Sequence, residues 1–273
     1  MNPSPIGVFD SGLGGLSVLR EVRAMLPQES LIYFADSRYA PYGDKPERFV
    51  EARTLQVCEW LVAQRCKALV IACNTATMHA VQALRERLPV PIIGVEPGLK
   101  PAASLSRSKV VGVLATANTL KSAKFNRLLT SLAHESQYLC AAGHGLVSLI
   151  EQGDVSGAAI REKLDAYLQP MLDAGADTLV LGCTHYPFLS GTIREMVGDR
   201  LTLIDTGTAI ARQLARKLDE FGLAAGPEST PAIRYLSTKD AVHLHDMAWA
   251  LLGVKAAAET VAIEPAPVLD VTA

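Results

Sequence analysis

The sequence predicts an α/β fold in which mostly parallel strands alternate with helices. Three observations carry this. Short runs rich in Val, Ile and Leu recur along the chain, longer stretches with helical spacing separate them, and a polar residue follows nearly every run. Strands buried on both faces of a parallel sheet read as continuous apolar runs, because neither face needs polar residues.

The predicted strands are Ile6–Phe9, Leu31–Ala35, Ala68–Ala72, Ile92–Val95, Val110–Leu114, Thr178–Gly182 and Leu201–Ile204. Between them, Leu16, Leu19, Val22 and Leu26 repeat at helical spacing, as do Val81, Leu84 and Leu88, and Pro27 and Pro89 stop those helices. Asp10, Asp36, Cys73, Glu96, Cys183 and Asp205 each follow a run directly. That is the carboxyl edge where open α/β sheets collect ligands. A plain loop-opening role accounts for Asp36 and Asp205 equally well.

With 273 residues, the chain suits one large domain or two small ones, and burial suffices without metal or disulfide staples. Hydrophobic residues make up 49% and charged residues 20%, with 26 basic against 28 acidic side chains. Such a balance excludes the basic excess of a nucleic-acid binder. Every apolar run is broken well before the ~18 residues a membrane span needs. Met-Asn-Pro-Ser-Pro at the start lacks the basic and long apolar regions of a secretory signal. The expected compartment is the cytoplasm, where Cys58, Cys66, Cys73, Cys140 and Cys183, none in a CxxC pair, stay reduced.

A weak internal repeat singles out two of these cysteines. Leu69-Val70-Ile71-Ala72-Cys73-Asn74-Thr75 resembles Leu179-Val180-Leu181-Gly182-Cys183-Thr184-His185, which points to two similar α/β halves, each presenting one thiol. Asn74 and Thr75 read as caps of a helix over Ala76–Leu88, whose dipole favours a thiolate at Cys73. His185 is placed to exchange a proton with Cys183 or with a ligand. Cys58, Cys66 and Cys140 read as buried packing residues. Cys-x-His lacks a second ligand pair, so no metal is expected. His243 and His245 fall in a surface helix.

Asp10-Ser11-Gly12-Leu13-Gly14-Gly15 lacks the third glycine of a dinucleotide fingerprint, Ser17 standing in its place. It reads as a turn offering N–H groups to a carboxylate. Pro41-Tyr42-Gly43 is a turn able to close over a small ligand. Gly94–Gly98 and Asp205–Gly207 are the candidate crossings between halves, and Val254–Ala273 reads as a loose tail without chemistry.

Taken together, Phe9–Leu16, Ala40–Gly43, Ala72–Ala76, Leu181–Pro187 and Ile204–Gly207 resemble the glutamate racemases, cofactor-independent enzymes that supply D-glutamate for bacterial peptidoglycan. The resemblance implies two α/β domains with mostly parallel central sheets and an active site in the interdomain cleft. Its boundaries are 1–96 with 207–253, then 97–206, then a tail of 254–273. It implies no cofactor and a two-base racemisation, Cys73 acting on D-glutamate and Cys183 on L-glutamate, helped by Asp10, His185 and Glu151. Substrate would be held by Asp10, Ser11, Tyr42, Gly43, Asn74, Thr75, Thr116, Thr119, Thr184 and His185. A cell-wall precursor as activator and a homodimer are further implied partners. Met78-His79 departs from the family's smaller residues.

Three other readings remain open on the residues alone. A racemase for another amino acid or a hydantoin would use the same cysteine pair. A thiol hydrolase would use Cys183 with His185 as base and leave Cys73 idle. A two-lobed amino-acid-binding protein would bind without exchanging the α-hydrogen.

Overall fold

The computed structural model describes residues 2–255 and 257–264. Among the described residues ten strands alternate with helices: β1 (Ile6–Asp10), β2 (Leu31–Ala35), β3 (Ala68–Ile71), β4 (Ile92–Gly94), β5 (Val110–Ala115), β6 (Gln137–Ala142), β7 (Thr178–Gly182), β8 (Thr202–Ile204), β9 (Ile233–Ser237) and β10 (Ala258–Thr260). They form two sheets, ordered β10-β9-β2-β1-β3-β4 and β6-β5-β7-β8. Every pairing in both is parallel, as continuous apolar runs require.

Each sheet belongs to its own compact unit. The first comprises the described residues through Val95 and from Gly207 onward, the second Glu96–Thr206. In the first unit β1, β2 and β3 are buried along their whole length. Helix Glu47–Ala63 presents Phe49, Val50, Val57, Cys58 and Leu61 to one face of the sheet. In the second unit, helix Ala158–Asp173 lays Ile160, Leu164, Leu168 and Met171 against Leu179 and Leu181 of β7.

The structure corrects several expectations. The described part of 254–264 is not a loose tail: Ala258–Thr260 pairs in parallel with Tyr235–Ser237, and Val261 and Ile263 pack on the first core. The remainder of that tail lies outside the described residues. Strands β6, β9 and β10 have no counterpart among the predicted runs. Cys140 is exposed on edge strand β6, whereas Cys58 and Cys66 are buried. Burial pushes the Cys66 thiol up to about 12 and raises that of Cys58 further, so both are inert core filler. His243 and His245 do lie in a helix, Ala241–Leu252. No helix among the described residues is long and apolar enough to cross a membrane.

Candidate active site

Because the strands of each sheet are parallel, the residues following them collect along one edge. In the first unit β1 delivers Asp10, the turn after it Ser11, and β3 delivers Cys73. Cys73 itself, not Asn74 or Thr75, is the helix N-cap: its Sγ accepts from Ala76 N at 3.4 Å, opening helix Asn74–Arg87. Ser11 Oγ donates to the same sulfur at 3.4 Å. Two donors and a helix N-terminus converge on a sulfur that is only 6% exposed, and they stabilise negative charge there against the opposing cost of burial. Thr77, one turn on, ties the helix to the strands through Ile71 O and Val95 N.

Asp10 is fully buried, and its Oδ1 accepts from Gly12 N at 2.9 Å. Gly15 is required here, since a Cβ on it would lie 2.5 Å from the Asp10 Cβ. Asn74 and Thr75 are buried on the first turn of the Cys73 helix. Tyr42 and Gly43 form a short 3-10 turn. The Tyr42 ring packs on Phe9, and its hydroxyl donates to Asp36 Oδ2 at 2.6 Å. Asp36 is therefore no mere loop opener: it is buried and ion-paired with Arg53, a partnership that sequence reading missed. Glu96 and Asp205, by contrast, are exposed.

In the second unit β7 delivers Cys183, and β5 beside it delivers Thr116, the two strands pairing Ala115 with Gly182. Cys183 Sγ lies 3.7 Å from His185 Nδ1, and His185 Nε2 lies 2.6 Å from Glu151 Oε1. Glu151 reaches this position from the last turn of helix Leu146–Glu151, Gln152 serving only as its C-cap. Burial works against an imidazolium at His185, but the hydrogen bonds and charges of Cys183 and Glu151 outweigh it, raising its pKa well above 6.5. The imidazole thus lies between the Cys183 sulfur and the Glu151 carboxylate, both of which favour its protonated form. Thr184 is buried next to Cys183. Thr116 caps helix Ala117–Lys121, its Oγ1 accepting from Thr119 N at 3.2 Å.

Among the described residues no three His, Cys, Asp or Glu side chains are grouped to hold a metal ion. What the two edges offer is proton chemistry: a thiol held by two donors at a helix N-terminus, and a thiol paired to a carboxylate-backed histidine.

The Asp/Glu/Hydantoin racemase family description matches residues 7–214. The chain belongs to that family, in its glutamate racemase branch. A glutamate racemase of Cupriavidus pinatubonensis is 74% identical over 98% of both chains. Among solved members of the branch, the Escherichia coli glutamate racemase, bound to L-glutamate and the activator UDP-MurNAc-Ala, superposes with a TM-score of 0.84. It is 33% identical, over 95% of this chain and 99% of its own. The Francisella tularensis enzyme, bound to D-glutamate, gives 0.83 at 30% identity over 96% and 98%. Family membership makes the chain a racemase, an isomerase, with the two parallel-sheet architecture of its relatives.

Proposed function

We propose that the chain interconverts L- and D-glutamate by a two-base mechanism in which Cys73 and Cys183 address opposite faces of one α-carbon. In the D-to-L direction the Cys73 thiolate takes the α-proton and becomes a thiol. The Cys183 thiol gives its proton to the opposite face and becomes a thiolate, stabilised by charged His185. The reverse reaction exchanges the roles, so no oxidant or cofactor enters the balance. The thiolate-favouring cradle of Cys73 and the Cys183–His185–Glu151 relay together carry this reading, since each thiol has its own group for setting the protonation state.

Asp10 is placed to assist on the Cys73 side. Ser11, Tyr42, Gly43, Asn74, Thr75, Thr116, Thr119, Thr184 and His185 supply the hydroxyls, amides and N–H groups for the substrate's carboxylates and ammonium. The product D-glutamate feeds peptidoglycan synthesis in the cytoplasm. The UDP-linked activator bound by the Escherichia coli relative is the probe with which to seek activation of this chain.

The deciding experiment is circular dichroism and proton NMR with each enantiomer in D₂O, on wild type, Cys73→Ala and Cys183→Ala. Wild type racemises and gains α-deuterium from either enantiomer. Each single variant loses racemisation yet exchanges deuterium with one enantiomer alone, L-glutamate for Cys73→Ala and D-glutamate for Cys183→Ala.

A further inference from the structure

The buried carboxylate of Asp36 gathers three donors. Arg53 Nη2 reaches its Oδ1 at 2.8 Å, Arg53 Nε its Oδ2 at 2.9 Å, and Tyr42 Oη the same Oδ2 at 2.6 Å. Both members of the ion pair have 0% side-chain exposure. Arg53 then spends Nη1 on Gln56 Oε1 at 2.7 Å and on the backbone carbonyl of Ile263 at 3.0 Å. Its guanidinium lies 4.7 Å over the Tyr39 ring, and Gln56 Nε2 donates to the carbonyl of Glu264. Asp36 is in turn tied to the strand edge, its N–H donating to Asp10 O at 3.0 Å.

A fully buried ion pair is weak evidence for stability, because desolvating both charges offsets much of their attraction and an apolar pair of equal volume often serves as well. What a two-pronged guanidinium supplies is geometry: the planar fork fixes the carboxylate plane, and the carboxylate fixes the Tyr42 hydroxyl. We infer that Asp36 and Arg53 are positioning residues that hold the Tyr42–Gly43 turn in its substrate-binding shape. Residues 263–264, which follow β10, belong to the same device because their carbonyls occupy the donors that would otherwise let Arg53 and Gln56 swing away. This rests on the reading of Tyr42 and Gly43 as substrate-binding residues.

The test compares wild type, Arg53→Lys, a chain ending after Val261, and the combination, with KM and kcat measured for both enantiomers alongside thermal unfolding. Lysine keeps the charge and loses the fork. Arg53→Lys is expected to raise KM about tenfold for both enantiomers while kcat stays within about twofold, the size of one charged hydrogen bond lost. The shortened chain is expected to raise KM about fivefold by itself and to add little in the Arg53→Lys background, because both changes release the same guanidinium. Where Arg53→Lys loses its native circular dichroism, the shortened chain and Gln56→Ala decide in its place. A lowered unfolding temperature with KM unmoved makes the pair purely structural and overturns the inference, leaving the racemase reading intact. A wild-type chain inactive on both enantiomers overturns that reading and this inference with it.

Discussion

His185 Nε2 lies 2.6 Å from Glu151 Oε1, while its other ring nitrogen faces Cys183. The carboxylate therefore orients the imidazole and favours its charged form. Glu151→Gln keeps the size and removes the charge, leaving burial to act on His185 with less opposition, so the His185 pKa falls. Turnover of L-glutamate is expected to drop by about a hundredfold, the lower end of the usual range for proton-transfer groups, and the alkaline limb of kcat/KM to move to lower pH. The same shift enters stability. A histidine whose folded pKa lies above the unfolded value near 6.5 contributes fully below about pH 6.5 and loses that contribution as pH rises through the folded value. Urea unfolding of wild type and Glu151→Gln should differ most near pH 6 and converge at high pH.

Gly15 makes Asp10 testable without touching it. An alanine there places its Cβ 2.5 Å from the Asp10 Cβ, and the buried carboxylate must shift relative to Cys73 and Ser11. Gly15→Ala is expected to lower kcat/KM by about a hundredfold, the scale of a catalytic group displaced by an ångström. Gly191 is the control. It lies in helix Ser190–Val197 with no atom within 4 Å of a Cβ built on it, so Gly191→Ala should keep full activity and gain about 0.5–1 kcal/mol of stability. Steady-state kinetics with chemical denaturation separates the two.

The five cysteines should divide by reactivity. Cys140 is exposed, although partial desolvation raises its thiol pKa, whereas Cys58 and Cys66 are buried and burial raises theirs strongly. Iodoacetamide at neutral pH followed by peptide mass mapping should label Cys140 in the native protein and Cys58 and Cys66 only after unfolding. Cys140→Ser should leave racemisation unchanged. Glutamate should slow labelling at Cys73 and Cys183 and leave Cys140 unaffected; labelling of Cys58 in the native state would contradict its assignment to the core.

Much of the fold was legible because burial on both faces writes itself into sequence: β1, β2, β3 and β7 are buried throughout, and the predicted runs match them to within a residue. Two of the three missed strands are those where that pressure is weak. β6 is an edge strand with Gln137 and Cys140 exposed, and β10 is a three-residue Ala-Glu-Thr pairing with no apolar run to announce it. Cys73 and Cys183 stood out because they follow strands in a repeated pattern. Cys73 as its own helix cap did not, since sulfur lies outside the usual capping set. The Asp36–Arg53 pair was invisible for a different reason: its partners are 17 positions apart, and only tertiary folding brings Tyr42 and Ile263 to the same place.

Asp177 is the acid-sensitive point of the second unit. It precedes β7, and its carboxylate accepts from Ser106 Oγ at 2.6 Å, from the backbone N–H groups of Arg107 and Ser108 at 2.8 Å each, and from Thr178 Oγ1 at 2.9 Å. Partial burial opposes ionisation, yet these four donors hold the carboxyl far below the ordinary aspartate range. The group thus pins the loop before β5 to the start of β7, and the pinning needs the charged form. A folded pKa below the unfolded one near 3.9 gives stability that is present above about pH 4 and lost as pH falls through the folded value. Asp177→Asn is expected to cost about 1–2 kcal/mol at pH 7, discounted for partial solvent access. That deficit should shrink steadily as pH falls below about 4. Thermal unfolding of both proteins across pH 3 to 7 measures it, and a deficit independent of pH would mean that the asparagine disturbs the loop by shape and not by charge.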